Sequence, residues 1–233
     1  MIQIAEKAIK VYGGEALWRN SKTIEADVSV TGLAFTLKRR PFFKNAKIQM
    51  NIHAPISKIT PIGRNEKLSG VLEKDWVWLE DEAGKRIAER KNPRSYFPYG
   101  RRLFYWDDLD MTYFANYAFW NYFTFPNLLC NPQIEWREKK ENILEAIFPS
   151  SIPTHSKRQE FLFDNESGKL SQHNYTAEVI SSLANAANVV REHAEENGIL
   201  FPSKRIVSPQ TLSGKPLNFP TLINITIHKF QII

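Results

Sequence analysis

The sequence predicts an α+β protein built on an antiparallel sheet with a few helices packed against it. Two observations carry that reading. Apolar residues recur at every second position in one short segment after another, with polar or glycine-containing turns between them. The helical crossovers that a parallel sheet requires do not intervene. No break in composition and no linker divides residues 1–233, which read as a single domain.

The chain opens on a helix. Ile4, Ala5, Ala8, Ile9 and Tyr12 recur at three- and four-residue spacing over residues 2–12, and Gly13-Gly14 stops it. A short turn from Glu15 to Arg19 carries Trp18. The period then changes to two: Ile24, Ala26, Val28 and Val30 alternate with polar residues. Thr31-Gly32 turns this strand into Leu33, Phe35 and Leu37, which read as the second arm of a hairpin. Ala46, Ile48, Met50 and Ile52 continue the alternation, and Pro55 to Pro61 bound an edge-like piece. Trp76 to Leu79 is apolar on both faces, so that strand is covered on both sides.

Further hairpins follow: Ile134–Arg137 with Ile143–Phe148, and Phe161–Phe163 with Leu170–Thr176. The alternation of Ile223, Ile225 and Ile227 marks a last strand. Residues 184–195 suit a helix face or a strand equally.

The most unusual segment is aromatic. Residues 96–125 hold 14 of the chain's 29 aromatic side chains. Asp107 or Asp108 caps a helix there, Asp110 suits its first turn, and Pro126 limits its far end. Tyr113, Tyr117 and Trp120 form one stripe, with Phe114 and Phe119 on other faces. A helix that is aromatic almost all round is buried almost all round. It is either a core helix on the sheet or the lid of a cavity that holds a hydrophobic ligand.

Composition excludes several functions. A chain of 233 residues hides ~70–75% of its unfolded surface without cross-links. The lone Cys130 excludes a disulfide framework and a cysteine zinc site. The apolar runs are too short to span a bilayer as a helix. The net charge of +6 invites a nucleic-acid reading. Yet Lys38-Arg39-Arg40, Arg90-Lys91, Arg101-Arg102 and Lys139-Lys140 are dispersed among acidic stretches, so no phosphate track is expected. A modest attraction to an anionic membrane surface fits this balance. Residues 1–7 have no export-signal pattern, so the expected compartment is the cytoplasm for the chain as given, and the periplasm for a trimmed mature form.

Catalytic signals are sparse. The five histidines make no metal-binding spacing, and there is no phosphate loop or nucleophile elbow, so neither metal nor cofactor is expected. His155, with Arg94, Asp107 and Arg205, is the best candidate for a polar cluster.

Several short patterns recur together: Gly13-Gly14 then Trp18, Asn92-Pro93-Arg94, Trp106-Asp107 with Tyr113-Phe114, and Trp120-Asn121-Tyr122 then Pro126. They continue through Phe148-Pro149, Pro153-Thr154-His155-Ser156, and Gly198 with Phe201-Pro202 and Arg205. Over nearly the whole chain this resembles a group of bacterial proteins whose fold is similar to the LolA/LolB-like lipoprotein-carrier superfamily. The resemblance implies a strongly curved antiparallel sheet, an incomplete barrel, with helices over its concave face and a hydrophobic cavity between. Export signals and an N-terminal lipidated cysteine mark carriers and receptors of that superfamily, and neither pattern stands in this sequence. What carries over is the binding of an acyl chain or other apolar ligand.

The expected function is therefore non-enzymatic binding of a hydrophobic or lipid-like ligand, lined by Phe35, Leu37, Met50, Trp76, Trp78, Phe114, Tyr117 and Trp120. A register shift of one residue exchanges Trp76 and Trp78 for Val77 and Leu79. Two alternatives stand beside it: an enzyme acting on an apolar small molecule through His155, Asp107, Arg94 and Arg205, and a protein-interaction module.

Overall fold

Thirteen strands form one antiparallel sheet whose order retraces the chain from its middle outward. The computed structural model describes residues 2–233. It begins with α1 (Gln3–Val11), α2 (Glu15–Asn20), β1 (Thr23–Thr31), α3 (Leu33–Leu37), β2 (Phe43–Asn51), β3 (Ile56–Thr60), β4 (Ser69–Glu73), β5 (Trp76–Glu80) and β6 (Arg86–Lys91). Two 3-10 turns, Pro93–Tyr96 and Gly100–Leu103, lead into α4 (Asp108–Phe123) and α5 (Phe125–Leu128). Then come β7 (Glu135–Lys140), β8 (Ile143–Ile147), β9 (Arg158–Phe163), β10 (Leu170–Thr176), β11 (Asn185–Glu196), β12 (Ile199–Pro209) and β13 (Ile223–Ile232). The strand order is β6-β5-β4-β3-β2-β1-β13-β12-β11-β10-β9-β8-β7. Each half is a meander, β1 and β13 join the halves, and β6 and β7 are left as free edges, so the sheet is curved but not closed.

The helix α4 lies inside this curve. On one side Asn116 donates to the Gly70 carbonyl of β4 at 3.2 Å and accepts from Ser57 of β3 at 2.7 Å. On the other, the Tyr122 hydroxyl meets that of Tyr175 on β10 at 2.6 Å. The helix sits close because β4 presents a glycine there: a Cβ on Gly70 would stand 2.3 Å from Thr112 Oγ1. From Asp110 to Phe123 every residue is buried. The expected cap is present as a reciprocal box: Asp107 accepts from the Asp110 amide at 2.7 Å, and Asp110 accepts from the Asp107 amide at 3.1 Å.

Three local expectations change. Leu33, Phe35 and Leu37 are not a strand: Gly32, at φ 134°, turns the chain off the ladder into α3, and β2 supplies the partner of β1 instead. Only glycine fits there, since a Cβ would meet the Leu222 carbonyl oxygen at 2.3 Å. In α3 the period-two apolar residues part company: Phe35 is buried, while Leu33 and Leu37 are exposed. The proline-bounded piece is β3, an interior strand between β2 and β4; its prolines lie outside the paired residues and remove no ladder donor. The ambiguous residues 184–195 extend as β11, hairpinned to β12 through Asn197 and Gly198, both with positive φ.

Register settles the faces of the tryptophan strand. Val77 and Leu79 join the core under α4, and Trp76 and Trp78 point to the other face. There the Arg86 guanidinium covers both rings, 4.1 Å from Trp76 and 4.4 Å from Trp78. The strand is thus apolar on both sides because one face meets the helix and the other a layer of long cationic side chains.

Candidate binding cavity

An apolar cavity of about 530 Å³ opens beside the N-terminal half of α4. Its walls come from α3 (Phe35, Leu37), the 3-10 turn (Leu103), α4 (Met111, Phe114), the segment after β10 (Ile180, Leu183) and β12 (Val207). The size lies within the usual range for small-molecule pockets, ~300–1,000 Å³. Its lip is greasy and open to solvent: Phe104 is 71% exposed and Leu183 84%, with Leu37 and Leu103 also exposed. A mostly apolar wall with few polar groups suits a ligand whose body is hydrocarbon.

Two cations stand in the wall, Lys38 and Arg40, and no carboxylate does. Arg40 is engaged: it pairs with Asp108 and donates to the carbonyls of Trp106 (3.2 Å) and Ile62 (3.4 Å). Lys38 Nζ donates to the carbonyls of Leu103 at 2.8 Å and Arg102 at 3.0 Å, and pairs with no carboxylate among the described residues. Burial lowers its pKa below the ordinary lysine value.

His155 forms part of the inner wall. The Tyr117 hydroxyl lies 3.2 Å from its Nδ1 and that of Tyr122 2.8 Å from its Nε2. Burial, reinforced by the charge of Arg94, pushes its pKa down to about 3. A neutral imidazole so reluctant to take a proton is a poor general base near neutral pH. Of the four polar residues, Arg94 adjoins His155, whereas Asp107 is engaged elsewhere. Arg94 donates to the carbonyls of Thr154 (2.6 Å) and His155 (3.2 Å) and pairs with Glu178. Asp107 belongs to a separate cluster at the head of α4, where Arg90 contacts it at 2.7 Å and Arg101 also pairs with it. Although burial opposes ionisation, those guanidiniums hold the Asp107 carboxyl well below the usual range. Arg205 is fully buried, sits 5.3 Å from the Tyr122 ring and donates to the Tyr122 carbonyl at 3.2 Å.

Of the eight apolar residues expected to line a ligand site, Phe35, Leu37 and Phe114 line this cavity. Met50 is core under the sheet, and Tyr117 is fully buried against His155. Trp120 donates to the Asn51 carbonyl at 2.7 Å and borders a second, more polar cleft of about 920 Å³ with Arg94 and Tyr113. Trp76 and Trp78 are on the opposite face, under Arg86. Lys38, Ile180, Leu183 and Val207 also line the cavity, from segments that carry no ligand-site signal in the sequence. Val207 was hidden because β12 went unrecognised, although Asn197-Gly198 is a strong hairpin signal. Among the described residues no group of three His, Cys, Asp or Glu side chains is placed to hold a metal, and no helix is long and apolar enough to cross a membrane.

An open antiparallel half-barrel curved around a buried helix, with an apolar cavity beside that helix, defines the structural class. No family model and no curated protein matches the sequence. Solved structures do match. A LolA superfamily protein from Nitrosomonas europaea superposes with a TM-score of 0.53 at 10% identity, covering 99% of this chain and 92% of that one. A putative outer membrane lipoprotein-sorting protein domain from Vibrio parahaemolyticus gives 0.51 at 10% identity, over 99% and 91%. A DUF1329 family protein from Desulfovibrio piger gives 0.50 at 11% identity, over 98% and 91%. The chain resembles the LolA-like superfamily in fold, as its residue pattern implies.

Proposed function

We propose that this protein is a non-enzymatic binding or carrier protein for a hydrophobic, lipid-like ligand held in the cavity beside α4. The carrying observation is the cavity itself, about 530 Å³ and walled by Phe35, Met111, Phe114, Ile180 and Val207. The outer membrane lipoprotein-sorting description of the Vibrio parahaemolyticus structure supports the same reading. The exposed apolar lip gives such a ligand a route into the cavity, and the exposed Arg39 next to Lys38 in the chain suits an approach to an anionic membrane surface.

Native mass spectrometry and titration with the neutral fluorophore N-phenyl-1-naphthylamine test this. A retained apolar ligand, or saturable fluorophore binding that Val207→Trp abolishes by filling the cavity, is the expected result. Protein that is empty and leaves the fluorophore in water overturns it.

A further inference from the structure

Lys38 has a use that the fold alone does not require. Its ammonium carries three donors. Two are spent on the Leu103 and Arg102 carbonyls, and among the described residues no third hydrogen-bond acceptor meets it. The residue is only 7% exposed. A cation so placed, without a carboxylate beside it, has lost hydration that no counter-charge restores. The other charge in the wall, Arg40, is already matched by Asp108. His155 brings no charge near neutral pH.

We infer that the cavity receives a single-headed anionic amphiphile, its hydrocarbon tail among Phe35, Phe114, Ile180 and Val207 and its carboxylate or phosphate monoester accepting from Lys38 Nζ. This rests on the reading of the cavity as an apolar-ligand site and adds the headgroup to it. Position favours the arrangement. Lys38 follows Leu37 of the lip directly, so a tail can enter first and the head come to rest against Nζ, where the charge-assisted hydrogen bond offsets its desolvation. Lys38 also stands 5.3 Å from the Trp106 ring, which a bound headgroup would perturb. A purely structural Lys38, tying α3 to the 3-10 turn, would serve equally well with any ligand or none.

The test displaces bound N-phenyl-1-naphthylamine with dodecanoate, dodecyl phosphate and 1-dodecanol, which share one tail. A charge-assisted hydrogen bond predicts that an anion binds about tenfold more tightly than the alcohol. The tighter of the two anions names the headgroup. Lys38→Met removes that preference while the fluorophore and the alcohol still bind, and Lys38→Arg keeps it. Equal displacement by the alcohol and by both anions in the unaltered protein overturns the inference, and needs no variant to fold. So does a preference that survives Lys38→Met. Fluorophore binding without an anion preference defeats the headgroup assignment alone; failure of every probe to bind defeats the cavity reading and this inference together.

Discussion

The imidazole of His155 lies flat on the ring of Tyr175, with centroids 3.8 Å apart and planes 6° from parallel. With that stack, completed by the Tyr117 and Tyr122 hydroxyls, the ring is fully buried. His193 is shifted the same way, down to about 4, chiefly by burial, and His173 falls well below the ordinary value.

These histidines set the acid response. Each is neutral in the folded protein and takes a proton near pH 6.5 once unfolded, so below that value the unfolded state binds more protons. Their full contribution is present above pH 6.5 and is lost as pH falls toward about 4 for His193 and about 3 for His155. Within its window the fully buried His155 removes up to about 1.4 kcal/mol per pH unit, and the half-buried, partly solvated His193 removes less. Urea midpoints measured from pH 7.5 to 4.5 should fall steeply. His155→Gln should flatten the slope below pH 6; an unchanged slope would show that the stack does not govern it.

Arg205 is a buried cation, and among the described residues it has no carboxylate partner and its Nε and Nη1 have no hydrogen-bond acceptor. Burial lowers its pKa to about 10. Exchanging such a charge for an apolar side chain of similar length is expected to be neutral or stabilising, by up to about 1–4 kcal/mol. Arg205→Met should therefore hold or raise the urea midpoint. A loss beyond about 1 kcal/mol would mean that its contacts with Tyr122 outweigh the desolvation it suffers.

Gly70 and Thr112 should be strongly coupled. A methyl group at Gly70 drives into the side chain of Thr112, a fully buried residue of α4. Gly70→Ala is expected to cost about 1–3 kcal/mol by overpacking. Adding Thr112→Ala should return part of that loss. A double-mutant cycle with no coupling energy would contradict the close docking of α4 on β4.

The lip offers a separate measurement. Phe104→Ser with Leu183→Ser should weaken binding to phosphatidylglycerol vesicles about tenfold or more, since each replacement removes roughly 1 kcal/mol or more of apolar transfer. Far-UV circular dichroism should not change, because both side chains are exposed. Unaltered vesicle binding would separate the lip from any membrane encounter.

Much of the fold was legible because local chemistry and tertiary structure agree. The hairpin turns, the Asp107 cap and the period-two strands follow from patterns that each strand carries alone. Leu33 to Leu37 misled because five residues with apolar alternation fit one helical turn as well as a strand, and Gly32 decides through a contact with Leu222, far along the chain. The cavity was harder to read. Phe35 and Phe114 were accessible as large apolar residues near a turn and on a helix. Val207, Ile180 and Lys38 reach the same space from elements distant in sequence, and only the curvature of the sheet gathers them. For Trp76 and Trp78, alternation gives two faces and does not say which one the helix covers.

The free edges of the sheet give the dispersed basic clusters a purpose. β6 carries Arg86, Glu89, Arg90 and Lys91, and β7 carries Glu135, Arg137, Glu138, Lys139 and Lys140. Each of these strands bears more positive than negative side chains, on backbones whose outer hydrogen-bonding groups are unpaired by another strand. Two molecules approaching edge to edge would bring like charge to like charge before any ladder formed. The exposed Lys91 and Lys140, one on each free edge, thus oppose polymerisation of an open half-barrel along its sheet edges.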